Sequence, residues 1–197
     1  YGIDIYGNWV NDGGFNARAG TVTFAGNTTI SGSSVNTFNS IIIIGTLTAP
    51  SGDIYVSGDW TNNGIFNHSN GKVIFNGSGT QNVNSGGSAN PFYIVTHSGT
   101  GVLKLVTNTL KIENKLILTN GTLELNGQVF DVNTVDVTAP ARIQDALNAC
   151  NASGVINVGT GTYSENLIIG KAVTMTAMTA ATPVLQGSGI GSGITIN

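Results

Sequence analysis

Ten carboxylates, two histidines and one cysteine are the side chains of this 197-residue chain that could perform acid–base or metal chemistry. Two carboxylates act as general acid and base only when they share one site, and a Ca²⁺ loop needs closely spaced oxygen ligands. The nearest pairs, Asp53 with Asp59 and Asp131 with Asp136, are too sparse for either pattern. We interpret them as solvated corner residues and predict that the chain is not an enzyme. The other acids are Asp4, Asp12, Glu113, Glu124, Asp145 and Glu165.

The remaining candidates for chemistry do not form a recognisable site. His68 and His97 have no cysteine or further histidine near them in the sequence, so we expect two exposed loop histidines and no zinc site. Trp9 and Trp60 could form a sugar-stacking ladder, but their repeated positions favour core or corner packing. Cys150 is interpreted as a small buried hydrophobe. We therefore predict no metal and no cofactor.

The elements that position these side chains come from an internal repeat. Residues 7–26, GNWVNDGGFNARAGTVTFAG, are restated at residues 58–77, GDWTNNGIFNHSNGKVIFNG, with ten of twenty positions identical and a constant offset of 51 residues. A shorter echo, GTLELNG, stands at residues 121–127. Repetition at a fixed period is typical of units that bury their apolar faces against one another. We expect a stack in which each repeat makes two turns.

Each repeat contains short stretches in which apolar residues alternate with polar ones. Ile3 and Ile5 begin this pattern, and Val22 and Phe24 continue it. A period of two predicts β-strands, and the intervening Asn- and Gly-rich segments predict corners, since these residues adopt positive φ at little cost. The run Ile41–Ile44 suits a strand that is covered on both faces, as in parallel sheets. The predicted fold is all-β, a parallel β-helix or β-solenoid.

An antiparallel β-sandwich is the alternative fold. The dipeptide Asn-Gly, a strong hairpin signal, occurs five times, at residues 63–64, 70–71, 76–77, 120–121 and 126–127. The repeat opposes this alternative, because a sandwich rarely needs one Trp, two Phe and several Gly restated at one offset.

The period changes at Thr138, where a helix is predicted inside the chain. Thr138 offers a capping hydroxyl and Pro140 stands near the first helical position. Ile143, Leu147 and Cys150 then follow, with Ala146, at the spacing of one helical face, and Gly154 ends the pattern. We predict one internal amphipathic helix that packs through this face. The predicted division is a repeat solenoid at residues 1–137 and a helix-led segment at residues 138–197.

The helix-led segment resembles the pectin-lyase-like right-handed parallel β-helix families. The resemblance rests on RIQDALNA at residues 142–149, GVINV at 154–158, GTYSENLII at 161–169 and KAVTM at 171–175. It implies an amphipathic helix that covers the apolar end of a coil, followed by the first turns of the coil. Here about 138 residues precede the helix, whereas in those families it usually begins the domain. The repeats at residues 7–26 and 58–77 resemble those of long prokaryotic surface proteins and adhesins.

Composition narrows the range of partners. The net charge is −3 and the seven basic residues are scattered singly, so we expect no nucleic-acid partner. The longest aliphatic run, Ile41–Ile44, is far shorter than the roughly 20 residues of a membrane-spanning helix. The chain opens with Tyr1, which indicates a processed or excerpted chain. We expect an extracellular or cell-surface location.

The two ends of the predicted coil suggest the function. Both the first strand, with Ile3 and Ile5, and the last, with Ile194 and Ile196, offer unpaired backbone groups to another strand. We expect these ends to join copies of the protein head to tail into a filament, as an extracellular structural protein. The alternative is a segment of a surface adhesin or carbohydrate-binding stalk, with a surface polysaccharide as partner. A polysaccharide lyase or hydrolase is the third possibility and needs a cleft of acids that the sequence does not reveal.

Overall fold

The computed structural model describes residues 2–189 and 193–196 of the chain. It is nearly all β-structure, wound into a solenoid of about nine turns, which confirms the predicted fold class. All strand pairs among the described residues are parallel, as the registers of the stacked strands show. The antiparallel β-sandwich is therefore wrong. The Asn-Gly dipeptides lie at corners between successive faces of the coil instead of in hairpins.

Short strands follow one another along the described chain, and one helix interrupts them. The strands before the helix are β1 (Gly2–Ile5), β2 (Trp9–Val10), β3 (Thr21–Phe24), β4 (Asn27–Ser31), β5 (Asn36–Phe38), β6 (Ser40–Ile43), β7 (Thr46–Thr48), β8 (Asp53–Val56), β9 (Trp60–Asn62), β10 (Ile65–Asn67), β11 (Lys72–Phe75), β12 (Thr80–Asn84), β13 (Phe92–His97), β14 (Val102–Thr107), β15 (Leu110–Leu118), β16 (Thr122–Glu124), β17 (Phe130–Asp131) and β18 (Thr134–Val137). The helix is α1 (Ile143–Ala149). The strands after it are β19 (Val155–Val158), β20 (Gly161–Ser164), β21 (Leu167–Ile169), β22 (Thr174–Ala177), β23 (Pro183–Gln186) and β24 (Ile194–Ile196).

Three faces of the coil are formed by three parallel sheets. The first sheet has the order β1-β3-β6-β9-β12-β14-β16, and the second has the order β2-β4-β7-β10. The third sheet runs from β5 through β8, β11, β13, β15, β18 and β19 to β22, with β17 also paired to β15. Beyond the helix the first two faces are formed by the pairs β20-β23 and β21-β24. The third sheet thus crosses the predicted boundary at residue 137 without a break, and the division into two domains stays a prediction.

The turns are shorter than the sequence repeat. In the first sheet the inward-facing residues Ile3, Val22, Ile41 and Trp60 lie one above another, each 19 residues after the last. Because 51 is not a multiple of this turn length, the prediction of two turns per repeat is wrong. Equivalent residues are about two and two-thirds turns apart, so Trp9 lies in the second sheet and Trp60 in the first.

What the repeat preserves is an aromatic cluster. Trp9 meets Phe15 edge to face at a centroid distance of 4.7 Å and Phe24 at 6.5 Å. The equivalent Trp60 meets Phe66 at 5.0 Å and Phe75 at 6.4 Å, again edge to face. The two clusters therefore have nearly the same internal geometry but are rotated by one face around the coil. Edge-to-face packing of this kind stabilises beyond the area that it buries.

A column of glycines forms the corner between the first and second sheets. A Cβ atom on Gly26 would lie 2.3 Å from the carbonyl oxygen of Tyr6, one on Gly45 2.2 Å from that of Gly26, and one on Gly64 2.1 Å from that of Gly45. Real Cβ atoms do not approach oxygen so closely. The three glycines, which we call the glycine column, therefore allow backbone to stack directly on backbone at this corner.

His97 is an exception within an apolar column. It lies on the inner face of the third sheet between Phe75 of the preceding turn and Leu118 of the next, and it is fully buried. The expectation of an exposed loop histidine at this position was wrong, because His97 ends a strand whose alternation turns it inward. Its Nε2 lies 3.3 Å from the Gly101 carbonyl oxygen, and its Nδ1 has no hydrogen-bond partner among the described residues.

We expect Gly45→Ala to lower the free energy of unfolding by roughly 1–3 kcal/mol, because the new methyl group overlaps the Gly26 carbonyl. Urea denaturation followed by circular dichroism measures the change. Gly52→Ala is the matched control, since no atom lies within 4 Å of a Cβ at Gly52. Equal effects of the two substitutions would contradict the role of the glycine column.

Stability should also depend on the charge of His97. Burial lowers the pKa of His97 from its usual 6.5, so the unfolded chain binds this proton more readily than the folded chain. The stabilisation that neutral His97 provides is complete at pH values above the pKa of this histidine in the unfolded chain. It is lost as pH falls from that pKa toward the lower pKa in the folded chain, at up to about 1.4 kcal/mol per pH unit. His97→Leu, which matches the neighbouring Leu118, should remove this component. Parallel melting curves over that pH range test this, and an unchanged slope in the variant would refute it.

Candidate assembly surfaces

The first turn of the coil has an unpaired edge. Strand β1 pairs with β3 on one side, and no described strand pairs with its other side. Ile3 and Ile5 lie directly over the buried Val22 and Phe24, so both side chains point toward the core of the coil. Ile3 is nevertheless 43% exposed, because no turn within residues 2–189 and 193–196 covers it. The edge thus combines free backbone groups with apolar side chains.

Aromatic rings fill the interior of the rest of this first turn. Trp9 lies over the buried Ile30 and packs against Phe15 and Phe38. Its indole Nε1 donates a 3.0 Å hydrogen bond to Oδ1 of Asn36, a buried side chain. Trp60, by contrast, is fully buried. The two indoles are therefore packing residues in different sheets, and they do not form a surface ladder for stacking sugars.

The trailing turns have a second uncovered edge. Strand β23 pairs with β20 and β24 pairs with β21, and no described strand follows them. Ile194 and Ile196 lie over Leu167 and Ile169, and they are 51% and 77% exposed. An apolar cavity of about 220 Å³ opens beside them. Its lining includes Ile143, Leu167, Met175, Leu185 and Ile194. The inner layer of the coil is thus accessible at this edge.

The predicted helix residues are all buried. Ile143, Leu147 and Cys150 are at most 3% exposed, as is Ala146 between them. The Cys150 Sγ lies 3.8 Å from the Asn133 carbonyl oxygen, and burial raises the pKa of this thiol. The helix is shorter than predicted and begins at Ile143. Neither Thr138 nor Pro140 starts it, and Arg142 at its N-cap makes no side-chain capping bond.

A carboxylate from the following turn caps the helix instead. Oε1 of the buried Glu165 accepts a 2.7 Å hydrogen bond from the Ile143 N–H, and Oε2 accepts one of 3.0 Å from the Gln144 N–H. These N–H groups have no partner inside a helix, and a negative charge at a helix N-terminus is favourable. The side chain of Gln144 continues the link, since its Oε1 accepts from the Ile168 N–H and its Nε2 donates to the Ile168 carbonyl.

The other side of the helix connects to the preceding turn. Oδ2 of the buried Asp145 accepts a 3.0 Å hydrogen bond from the backbone N–H of Leu123 in β16, the last strand of the first sheet. The helix therefore lies within the stack. Its side chains form the hydrogen bonds to backbone groups of the adjacent turns that a strand would form at this position. Desolvation and the nearby Glu165 raise the pKa of Asp145, while the Leu123 N–H and Arg142 oppose this shift.

Several of the remaining acids form links between adjacent turns. Lys72 pairs with Asp53 at 3.2 Å, and Lys104 pairs with Glu124 at 2.7 Å. Asp136 accepts from Lys115 and from Asn157, both at 2.7 Å. Within residues 2–189 and 193–196, no three His, Cys, Asp or Glu side chains are grouped as metal ligands. In the same ranges, no helix has the length and apolarity needed to cross a bilayer.

Sequence reasoning missed the polar contacts of the helix, although a signal for them existed. Asp145 contacts a backbone group 22 residues before it, and Glu165 contacts groups 22 and 21 residues before it. These separations are close to the 21 residues that separate stacked partners in β18 and β19, which is one turn of the coil at this point. Once the turn length is known, it identifies such side chains as candidates for contacts between adjacent turns.

Comparison of the chain with protein-family models, with curated proteins and with solved structures gave no match. The resemblance of residues 139–187 to the pectin-lyase-like families therefore stays a prediction.

We expect Asp145→Asn to be at least as stable as the wild type near pH 7, because an amide oxygen still accepts from Leu123 and no charge is buried. Asp145→Ala should lose about 1–3 kcal/mol, since the Leu123 N–H then has no partner. The raised pKa makes wild-type stability increase as pH falls through the folded-state pKa toward 3.8, and Asp145→Asn should lack this increase. Denaturant titrations at several pH values measure all three effects.

If Asp145→Asn lowered the free energy of unfolding as much as Asp145→Ala, the charge of Asp145 and not its hydrogen bond would stabilise the helix.

Proposed function

We propose that this protein is an extracellular structural subunit whose coils join head to tail into a filament. The observation that carries the proposal is the pair of uncovered edges, β1 at one end and β23 with β24 at the other. Each edge combines inward-facing isoleucines with backbone groups that pair with no further strand among the described residues. Such edges readily pair with another strand, and soluble proteins normally block them.

The two edges are chemically compatible. Strands in the coil are parallel and follow the same winding direction, so β23 of one copy can pair with β1 of the next copy, and β24 with β2, as in another turn of the coil. Leu185 in β23 would then meet Ile3 and Ile5 in β1, Ile194 in β24 would meet Trp9 in β2, and the cavity at the trailing edge would be covered. This contact joins different surfaces and need not close into a ring, so it propagates as a fibre.

The sides of the coil support the same proposal. Lysine–carboxylate pairs link adjacent turns along the outer faces, so the same kind of pair could form between turns of two copies. Only 9% of the residues are charged. A stack of parallel, in-register strands with dense backbone hydrogen bonding is durable, which supports a long-lived role outside the cell.

A stalk or adhesin segment with a carbohydrate partner is the second candidate. In a longer chain, further turns of the same coil would cover the two edges and make a rod. The specific observation in its favour is a corner where the rings of His68 and Tyr93 stack at 5.6 Å, with His68 Nε2 3.2 Å from Glu113. An aromatic ring beside polar groups is suited to contact with a sugar ring.

Electron microscopy and sedimentation velocity of the 197-residue chain at micromolar concentration test the assembly. We expect uniform fibres for the wild type. Ile194→Asp and Ile3→Asp should each raise the concentration needed for fibres at least about tenfold, since a charge buried at the contact costs well over 1.4 kcal/mol. Dispersed short rods from the wild-type chain would overturn the proposal and favour the stalk.

Ile65→Asp is the matched control for these variants. Ile65 is 54% exposed, close to the 51% of Ile194, but it lies in β10, within the stack and away from both edges. We expect it to leave fibre formation unchanged. An equal loss in this variant would mean that assembly occurs through the sides of the coil.

A further inference from the structure

The five Asn-Gly dipeptides do not form hairpins, and their environments differ in a way that matters for chemistry. An asparagine side chain followed by glycine can react with the next backbone nitrogen, because glycine offers no side chain to hinder the approach. The rate depends on how often that nitrogen meets the side-chain carbonyl carbon, with about 3–3.5 Å being the separation of reacting atoms in a near-attack geometry. The fold therefore determines which of the five sites can react.

At one site the glycine N–H is already hydrogen-bonded to the side chain of the preceding asparagine. The backbone N–H of Gly121 donates to Oδ1 of Asn120, its own neighbour, at 2.9 Å. The carbon to be attacked is bonded to that oxygen at about 1.2 Å. Hydrogen bonds on both sides fix this corner, from the Thr119 N–H to the His97 carbonyl at 3.0 Å and from the Thr122 N–H to the Gly101 carbonyl at 3.1 Å.

At three other sites the glycine nitrogen is held by a different acceptor. Gly64 donates to Asn62 Oδ1 at 2.9 Å, Gly71 to the His68 carbonyl at 2.7 Å, and Gly77 to Gln81 Oε1 at 2.8 Å. Each of these bonds occupies the glycine N–H with an acceptor other than the preceding asparagine. Attack at Asn63, Asn70 or Asn76 therefore requires local opening of the coil first.

At the fifth site, Asn126–Gly127, the asparagine is exposed but its backbone geometry does not favour the reaction. Asn126 is exposed and has φ +51°, Gly127 has φ +75°, and the Gln128 N–H donates to the Leu125 carbonyl at 2.8 Å. These are features of a type I′ turn. In such a turn the following nitrogen points away from the side chain of the first central residue. Asn126 is thus accessible to water but poorly placed for ring closure.

We propose that Asn120 is a site of spontaneous deamidation in the folded protein. The Gly121 nitrogen gives its proton to solvent base and bonds to the side-chain carbonyl carbon of Asn120, and the bond to the side-chain nitrogen breaks, releasing ammonia. The resulting five-membered imide is opened by water at either carbonyl. One opening gives aspartate and the other gives isoaspartate, with no net oxidation or reduction.

The product places strain on the stack. Isoaspartate adds one atom to the main chain between Thr119 and Thr122, both of which are bonded to the preceding turn. Gly121 has no room to adjust, since a Cβ built on it would lie 2.3 Å from the Gly101 carbonyl oxygen. Deamidation at Asn120 therefore lowers the stability of the coil, and the loss accumulates with the age of the molecule.

The test compares all five sites within one molecule. The 197-residue chain is incubated at mildly alkaline pH in ¹⁸O-labelled water, folded or unfolded in guanidinium, and each site is quantified by peptide mass spectrometry. In the unfolded chain the five sites should react at similar rates. In the folded chain we expect Asn120 to be the fastest, with Asn63, Asn70 and Asn76 slowed at least about tenfold by the opening that they require.

Two outcomes would overturn the proposal: a folded chain in which Asn126 reacts first, which would make exposure decisive, or one in which Asn120 is slowed as much as the other sites. Asn120→Gln supplies the control, because its longer side chain disfavours the five-membered ring while keeping the amide. This variant should stay unmodified at residue 120, and its free energy of unfolding after incubation should fall less than that of the wild type.

Discussion

The close stacking of backbone on backbone at the corners is the constraint on which the whole coil depends. Where Gly26, Gly45 and Gly64 succeed one another, no side chain separates one turn from the next. The carbonyl of each turn lies where a Cβ would be, so the spacing between turns can stay at that of a parallel sheet, about 4.8 Å. With the corners fixed in this way, each inward-facing residue lies over its counterpart in the preceding turn, and the core becomes a set of columns.

This constraint explains why the repeat and the turn have different lengths. The repeat of 51 residues conserves a cluster of one Trp and two Phe, whose ring geometry is nearly unchanged between the two copies. The length of a turn, 19 residues between β3, β6 and β9 and 21 between β18 and β19, is set by the corners. The aromatic cluster needs one residue on each of the three faces, but its Trp can lie on any of them. The second copy can therefore be rotated by one face and still pack.

The sequence was sufficient to predict the fold class, the internal helix and its buried residues, because period-two alternation and the spacing of Ile143, Leu147 and Cys150 are local signals. It could not predict which residues lie above one another. The length of a turn depends on corners such as Gly45, whose contacts are far away in sequence. For the same reason the role of Glu165 was not visible, since its partners at Ile143 and Gln144 are brought near it only by a complete turn. His97 follows the alternation inward, and only its residue type suggested a loop.

The helix gives the coil a point of mechanical asymmetry. Before the helix, tension applied along the axis would be shared by the backbone ladders of three sheets as far as β10 and by those of the first and third sheets beyond it. At α1 the first two faces have no ladder, and the load passes through the pairing of β18 with β19 and through the side chains of Gln144, Asp145 and Glu165. A rod built in this way would yield first at this turn, so its resistance to pulling is set by three polar side chains and one strand pair.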